Sequence, residues 1–120
     1  MQILDQNNNE IALFQVAIAD SDAKKSYGLM NLKSLPQNHG MLFLFDQSQQ
    51  ITMWMKNTLI PLDMIFIDEN NIITKIVKNT KPLSLDHIFS QQSCNKVLEI
   101  NGGLSDKLKI TIGDKVKFKL

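Results

Sequence analysis

A tryptophan, a lysine, an amide, a hydroxyl and a carboxylate fall within ten positions of this chain, as Trp54, Lys56, Asn57, Thr58 and Asp63. An indole face stacks on a sugar or another polar ring, an ammonium and an amide donate hydrogen bonds, and a carboxylate accepts them. The group therefore has the composition of a site for a small polar ligand such as a saccharide. The same residues also have a scaffolding account, with Trp54 in the core, Lys56 laying its stem along apolar surface, and Asn57, Thr58 and Pro61 shaping a turn. Their spacing matches no reaction centre, so no catalytic residue is assigned from it.

A second chemistry rests on Asp63 and Glu99. Two carboxyls roughly 5 to 9.5 Å apart form the acid and base of glycoside hydrolysis, and burial beside apolar strands raises a carboxyl pKa. The plain alternative is that each accepts hydrogen bonds from turn backbone or pairs with a lysine such as Lys25. His39, His87 and Cys94 are the only soft metal ligands, and their spacings fit no zinc or redox signature, so neither metal nor cofactor is expected. Cys94 as a nucleophile beside His87 needs a proximity the sequence does not reveal. Asp68, Asn70 and Asn71 resemble a calcium loop in composition but lack its glycine and terminal glutamate.

Composition narrows the rest. The chain has 120 residues, 43% hydrophobic and 21% charged, which suits one globular domain with a proper core. Residues 1–10 read as a polar extension and 11–120 as the single domain. The net charge is +1 and every one of the 13 basic residues other than histidine is lysine, so the guanidinium fork favoured in phosphate recognition is missing and nucleic acid is not an expected partner. A single cysteine excludes an intrachain disulfide. No apolar run is long enough for a membrane-spanning helix, and a monomer is expected. The chain as written opens without a signal peptide, which predicts a cytoplasmic location, with export the alternative for a domain whose leader has been removed.

These residues need elements to hold them. Residues 11–19 alternate as a largely buried strand. Ser21, flanked by Asp20 and Asp22, caps a short helix that Gly28 stops. Residues 41–45 form a central strand after a turn at 36–40. Residues 49–56 alternate so that Trp54 and Lys56 point the same way, about 7 Å apart along a strand. Residues 62–68 and 72–80 pair as a hairpin across Glu69, Asn70 and Asn71. Residues 81–95 read as a long loop and a candidate lid. A strand at 96–100, a short helix at 104–108 and an edge strand at 115–120, kept soluble by its lysines, complete the chain. The predicted class is α+β, mainly β, with about seven short strands and two short helices in a single curled sheet or barrel-like domain.

Gly28-Leu29-Met30, Gly40-Met41-Leu42-Phe43-Leu44-Phe45, the run Trp54-Met55-Lys56-Asn57-Thr58-Leu59-Ile60-Pro61-Leu62-Asp63, Val97-Leu98-Glu99 and Gly113-Asp114 follow one another as in a known family. On these residues the chain resembles the bacterial and archaeal domain of unknown function 192, over about residues 14–118. Two departures stand out. Lys24 and Lys25 replace an acidic residue and an arginine, which leaves the capping box opened by Ser21 half built. Asn31 and Leu32 replace an aromatic residue and an arginine. The resemblance implies a compact β-rich domain with short helices, and it brings no established activity; some family members are exported and others lack a leader.

Three functions follow as expectations. The first is a binding domain floored by Trp54 and Lys56, rimmed by Asn57, Thr58, Asp63 and Lys25, and covered by residues 81–95. The second is a small hydrolase using Asp63 and Glu99. The third is a scaffold or partner-docking domain. Asp63 is further expected to accept hydrogen bonds from the corner, from Asn57 or Thr58.

Overall fold

The computed structural model describes residues 1–118. Its elements are β1 (Gln2–Leu4), β2 (Glu10–Leu13), β3 (Gln15–Ala19), α1 (Asp22–Tyr27), β4 (His39–Gln49), β5 (Thr52–Met53), β6 (Leu62–Ile67), β7 (Ile73–Val77), β8 (Ile88–Phe89), β9 (Cys94–Asn101), α2 (Leu104–Lys107) and β10 (Lys115–Lys117). Five strands make the main sheet in the order β3-β4-β9-β6-β7, with β3 parallel to β4 and the other pairs antiparallel. A second sheet runs β10-β1-β2, and β5 pairs with β8 in a two-stranded ribbon. The fold is thus α+β and mainly β, with curled sheets that do not close into a barrel. Ten strands stand among the described residues where about seven were expected, because β1, β5, β8 and β10 have only two or three residues each. An alternation that short leaves no period to detect.

The main sheet separates two cores. On one face Leu42, Ile65, Ile67, Leu98 and Ile100 pack with Ile3, Phe14, Leu104 and Val116, which come from the small sheet, its flanking loop and α2. On the other face Phe43, Met64, Phe66 and Val97 pack with Ile51, Met55 and Leu62. Strand β6 is buried at every position, as an interior strand covered on both faces must be. Residues 1–10, read as an extension, contribute β1 with Ile3 fully buried.

The hairpin of β6 and β7 forms as expected, and Asp68 fastens its loop by accepting the Asn70 and Ile72 N–H groups at 2.9 Å each. Helix α1 is capped by Ser21, whose hydroxyl accepts the Lys24 N–H at 3.2 Å, and no acidic side chain closes the other half of the box. Three expectations are corrected. Residues 11–19 are two strands, because Phe14 donates its N–H to Met1 while Gln15 donates to Asn38, and the chain crosses from the small sheet to the edge of the large one. Both strands are only partly buried for that reason. Residues 49–56 form a strand only at Thr52–Met53, after which Met55 to Thr58 closes a turn with the Thr58 N–H on the Met55 carbonyl at 3.1 Å. Residues 81–95 are not one loop, since they hold β8 and the start of β9. The edge strand at 115–120 is described through Lys117, and its last two residues lie outside the described region. No described helix is long and apolar enough to cross a membrane.

Candidate functional site

Strand β9 lies between β4 and β6, so each of its side chains meets neighbours on both sides. Val97 and Glu99 leave it on one face, Leu98 and Ile100 on the other. Glu99 stands opposite Met41 on β4 and Met64 on β6, two apolar side chains. It is only 4% exposed, and what it faces is the floor of a cleft of about 650 Å³. No described residue gives its carboxyl a hydrogen bond, and burial alone pushes its pKa from 4.5 up to about 8. At neutral pH Glu99 is therefore a protonated acid, with one donor and free acceptor capacity turned toward the cleft.

Three segments wall the cleft. The first is α1 with the turn behind it, contributing Asp22, Lys25, Ser26 and Tyr27. That turn closes at Gly28, where φ is +52° and an added Cβ would stand 3.2 Å from the Phe43 ring, so the helix end lies tight against the sheet. The second wall is the far end of β4. Its ladder with β9 is interrupted between Leu44 and Gln49, and the bulged stretch carries Phe45, Asp46 and Gln47 along the opening. Lys25 bridges these two walls: its ammonium donates to the Leu44 carbonyl at 3.0 Å and lies 4.4 Å from the Phe45 ring centroid.

The third wall is the corner. Trp54 is 42% exposed, and the Lys56 ammonium stands 5.1 Å from its ring centroid. Trp54 is therefore not core, and the two meet across a turn rather than along one strand. Asn57 holds a left-handed backbone, φ +54°, and its carbonyl accepts the Asn31 N–H at 2.8 Å. The corner is thereby tied to the segment after α1. Thr58 lines the cleft and donates its hydroxyl to the Lys56 carbonyl at 3.2 Å.

Asp63 lies elsewhere. It is fully buried on the other face of the sheet, where Oδ1 accepts the Asn79 and Gly103 N–H groups at 2.9 and 3.0 Å and Oδ2 accepts the Ser105 N–H at 2.8 Å and the Ser105 hydroxyl at 2.5 Å. The expectation that it anchors Asn57 or Thr58 is corrected: its four donors come from the β7 exit and the start of α2. These groups lie 16 to 42 positions away in sequence. It neither lines the cleft nor shares a face with Glu99, so the two do not form an acid and base pair.

Of the residues singled out from the sequence, Trp54, Lys56, Thr58, Lys25 and Glu99 thus line one cleft, Asn57 supports it through its backbone, and Asp63 braces the opposite face. The proposed lid is also corrected. Residues 81–95 contribute nothing to the lining; they pack behind Trp54, with His87 at 6.4 Å between ring centroids and Phe89 a further 6.0 Å on. The α1 wall takes the place assigned to them. Asp22, Asp46, Gln47 and Gln49 were missed, because a helix flank and a bulged strand end carry no motif. Cys94 is buried, and burial pushes its thiol up, away from the reactive thiolate. No cluster that could hold a metal occurs among the described residues.

Residues 3–118 match the model of domain of unknown function 192, described as an uncharacterized ACR. Two solved structures are similar throughout. One is a protein from Sinorhizobium meliloti 1021 described as a candidate transcription regulator, 33% identical with a TM-score of 0.93, the match covering 97% of this chain and 89% of that one. The other is a protein of unknown function from Novosphingobium aromaticivorans DSM 12444, 33% identical with a TM-score of 0.92, covering 98% and 82%. No curated protein matches.

Proposed function

The chain belongs to the domain of unknown function 192 family, and on that premise we propose that it is a binding domain for a small polar ligand, taken up in the cleft between α1, β4 and the Trp54 corner. The observation that carries this reading is Glu99. A carboxyl that is only 4% exposed and takes no hydrogen bond from any described residue has the cleft as its one polar outlet, and a ligand there can supply its partners. Trp54, on the wall of the same cleft, offers an apolar face, and the rim offers amides, hydroxyls and charges of both signs. The hydrolytic alternative is not carried forward, since its two carboxyls stand on opposite faces.

The description of the Sinorhizobium meliloti relative does not extend to this reading. Thirteen lysines against twelve acids, and no arginine, supply little field for a nucleic-acid backbone. A partner-docking role is the second reading, drawn from the exposed Leu83, Leu85 and Phe89. Concentration-dependent self-association lost on Leu85→Ser would favour it.

Trp54 is the only tryptophan, so intrinsic fluorescence reports on the cleft wall alone. A saccharide, nucleotide and metabolite panel is expected to contain at least one compound that shifts Trp54 emission and raises the melting temperature. Glu99→Leu should abolish both effects in a folded protein. A panel that leaves emission and melting temperature unmoved removes the proposal.

A further inference from the structure

Resting on that reading of the cleft, we infer that Glu99 hydrogen-bonds the ligand from the cleft floor and that the ligand is an uncharged polyhydroxylated ring, a monosaccharide or one unit of a saccharide chain. Three observations lead there. The first is geometric: Glu99 is nine-tenths buried, unpartnered, and turned to the cleft floor between Met41 and Met64. A protonated carboxyl presents a donor and an acceptor side by side, and a pair of neighbouring hydroxyls answers both at once.

The second is the charge of the lining. The titratable groups that line the cleft with Glu99 are Asp22, Lys25 and Tyr27 from α1, Asp46 from β4 and Lys56 from the corner. Two lysines balance two aspartates, so with Glu99 neutral the lining carries no net charge for an ionic ligand to answer. The lysines are also engaged, Lys25 on the Leu44 carbonyl and Lys56 against Trp54. The third is the mixture of surfaces. Ser26, Gln47 and Gln49 supply uncharged donors and acceptors, while the indole of Trp54 supplies a face for ring C–H groups. The same burial holds the Glu99 proton up to about pH 8, which is the condition under which the lining charges balance.

The test uses glucose and three relatives that differ in charge: N-acetylglucosamine, glucosamine and glucuronic acid, each titrated against Trp54 emission. Near pH 6 the neutral sugars should bind, and the cationic and anionic ones should bind at least about tenfold more weakly. Raising the pH to about 9.5 should weaken the neutral sugars roughly thirtyfold, because only the protonated fraction of Glu99 is competent. Glu99→Gln keeps an uncharged donor and acceptor, so it should bind the neutral sugars with little pH dependence. Tightest binding by glucosamine, an affinity flat between those two pH values, or loss of binding in a folded Glu99→Gln protein would each overturn the inference. Neutral sugars leaving Trp54 unmoved while a nucleotide or metabolite shifts it would defeat the inference and spare the cleft; silence from every compound would defeat both.

Discussion

Asp63 on β6 and Glu99 on β9 lie on hydrogen-bonded neighbouring strands but out of step, Asp63 opposite Ile100 and Glu99 opposite Met64, so the two carboxyls leave the sheet on opposite faces. The consequence is a division of roles. Asp63 receives four donors and fastens the β7 exit and α2 to the sheet. Glu99 receives none and faces the cleft. Both are buried acids, and what separates them is which backbone N–H groups the chain brings within reach.

Removing the Asp63 carboxylate should cost stability rather than binding. In Asp63→Ala four donors lose their acceptor, and each buried orphan costs about 1–3 kcal/mol, so a loss of about 3 kcal/mol or more is expected by chemical denaturation. Asp63→Asn should fall between, because one of the two accepting oxygens survives. Wild-type stability in both variants would contradict the bracing role.

Glu99 should make stability depend on pH. Its folded pKa, about 8, lies above the ordinary 4.5, so the folded state holds the proton more tightly than the unfolded chain. Stability from this group is fully present below about pH 4.5 and falls by roughly 1.4 kcal/mol per pH unit until about pH 8. Denaturation across that window should show a decline that Glu99→Gln removes. Identical profiles for the two proteins would contradict the assignment.

Gly40 should not tolerate a side chain. A Cβ there would stand 2.7 Å from the Glu99 carbonyl oxygen and 3.1 Å from Ile100, so Gly40→Ala must push β4 away from β9. A loss of roughly 1–3 kcal/mol is expected from such overpacking, with altered Trp54 emission as the cleft wall moves. A melting curve superimposing on that of the wild type would contradict it.

Lys56→Ala should leave the fold nearly intact. The exposed ammonium against Trp54 is worth about 0.5–1 kcal/mol, so stability should change by no more than that, while Trp54 emission shifts because its nearest cation has gone. A large loss of stability would mean that Lys56 has a structural role beyond this contact.

Much of the scaffold was legible because it rests on local rules. The β6–β7 hairpin follows from two apolar runs around Glu69, Asn70 and Asn71, and the α1 start follows from the Ser21 hydroxyl three positions before Lys24. The family motif around Trp54 located one wall of the cleft. The remainder depends on contacts between distant positions. The donors to Asp63 come from Asn79, Gly103 and Ser105, and nothing in the corner's composition points to them. The face on which Glu99 emerges is fixed only once the register with Met41 and Met64 is known. The lid was assigned to residues 81–95 on irregularity alone, whereas backbone bonds from Met55 to Ser84 and from Leu83 to Thr58 tie that segment behind the corner.

The most direct test of the binding face is amide chemical-shift mapping by NMR during titration with the tightest-binding member of the saccharide, nucleotide and metabolite panel. The account predicts saturable shifts centred on Lys25, Met41, Phe43, Trp54 and Glu99, with the amides of Asn79, Gly103 and Ser105 unmoved. Saturable shifts centred on Gly103 and Ser105, with the Glu99 side of the sheet silent, would contradict it.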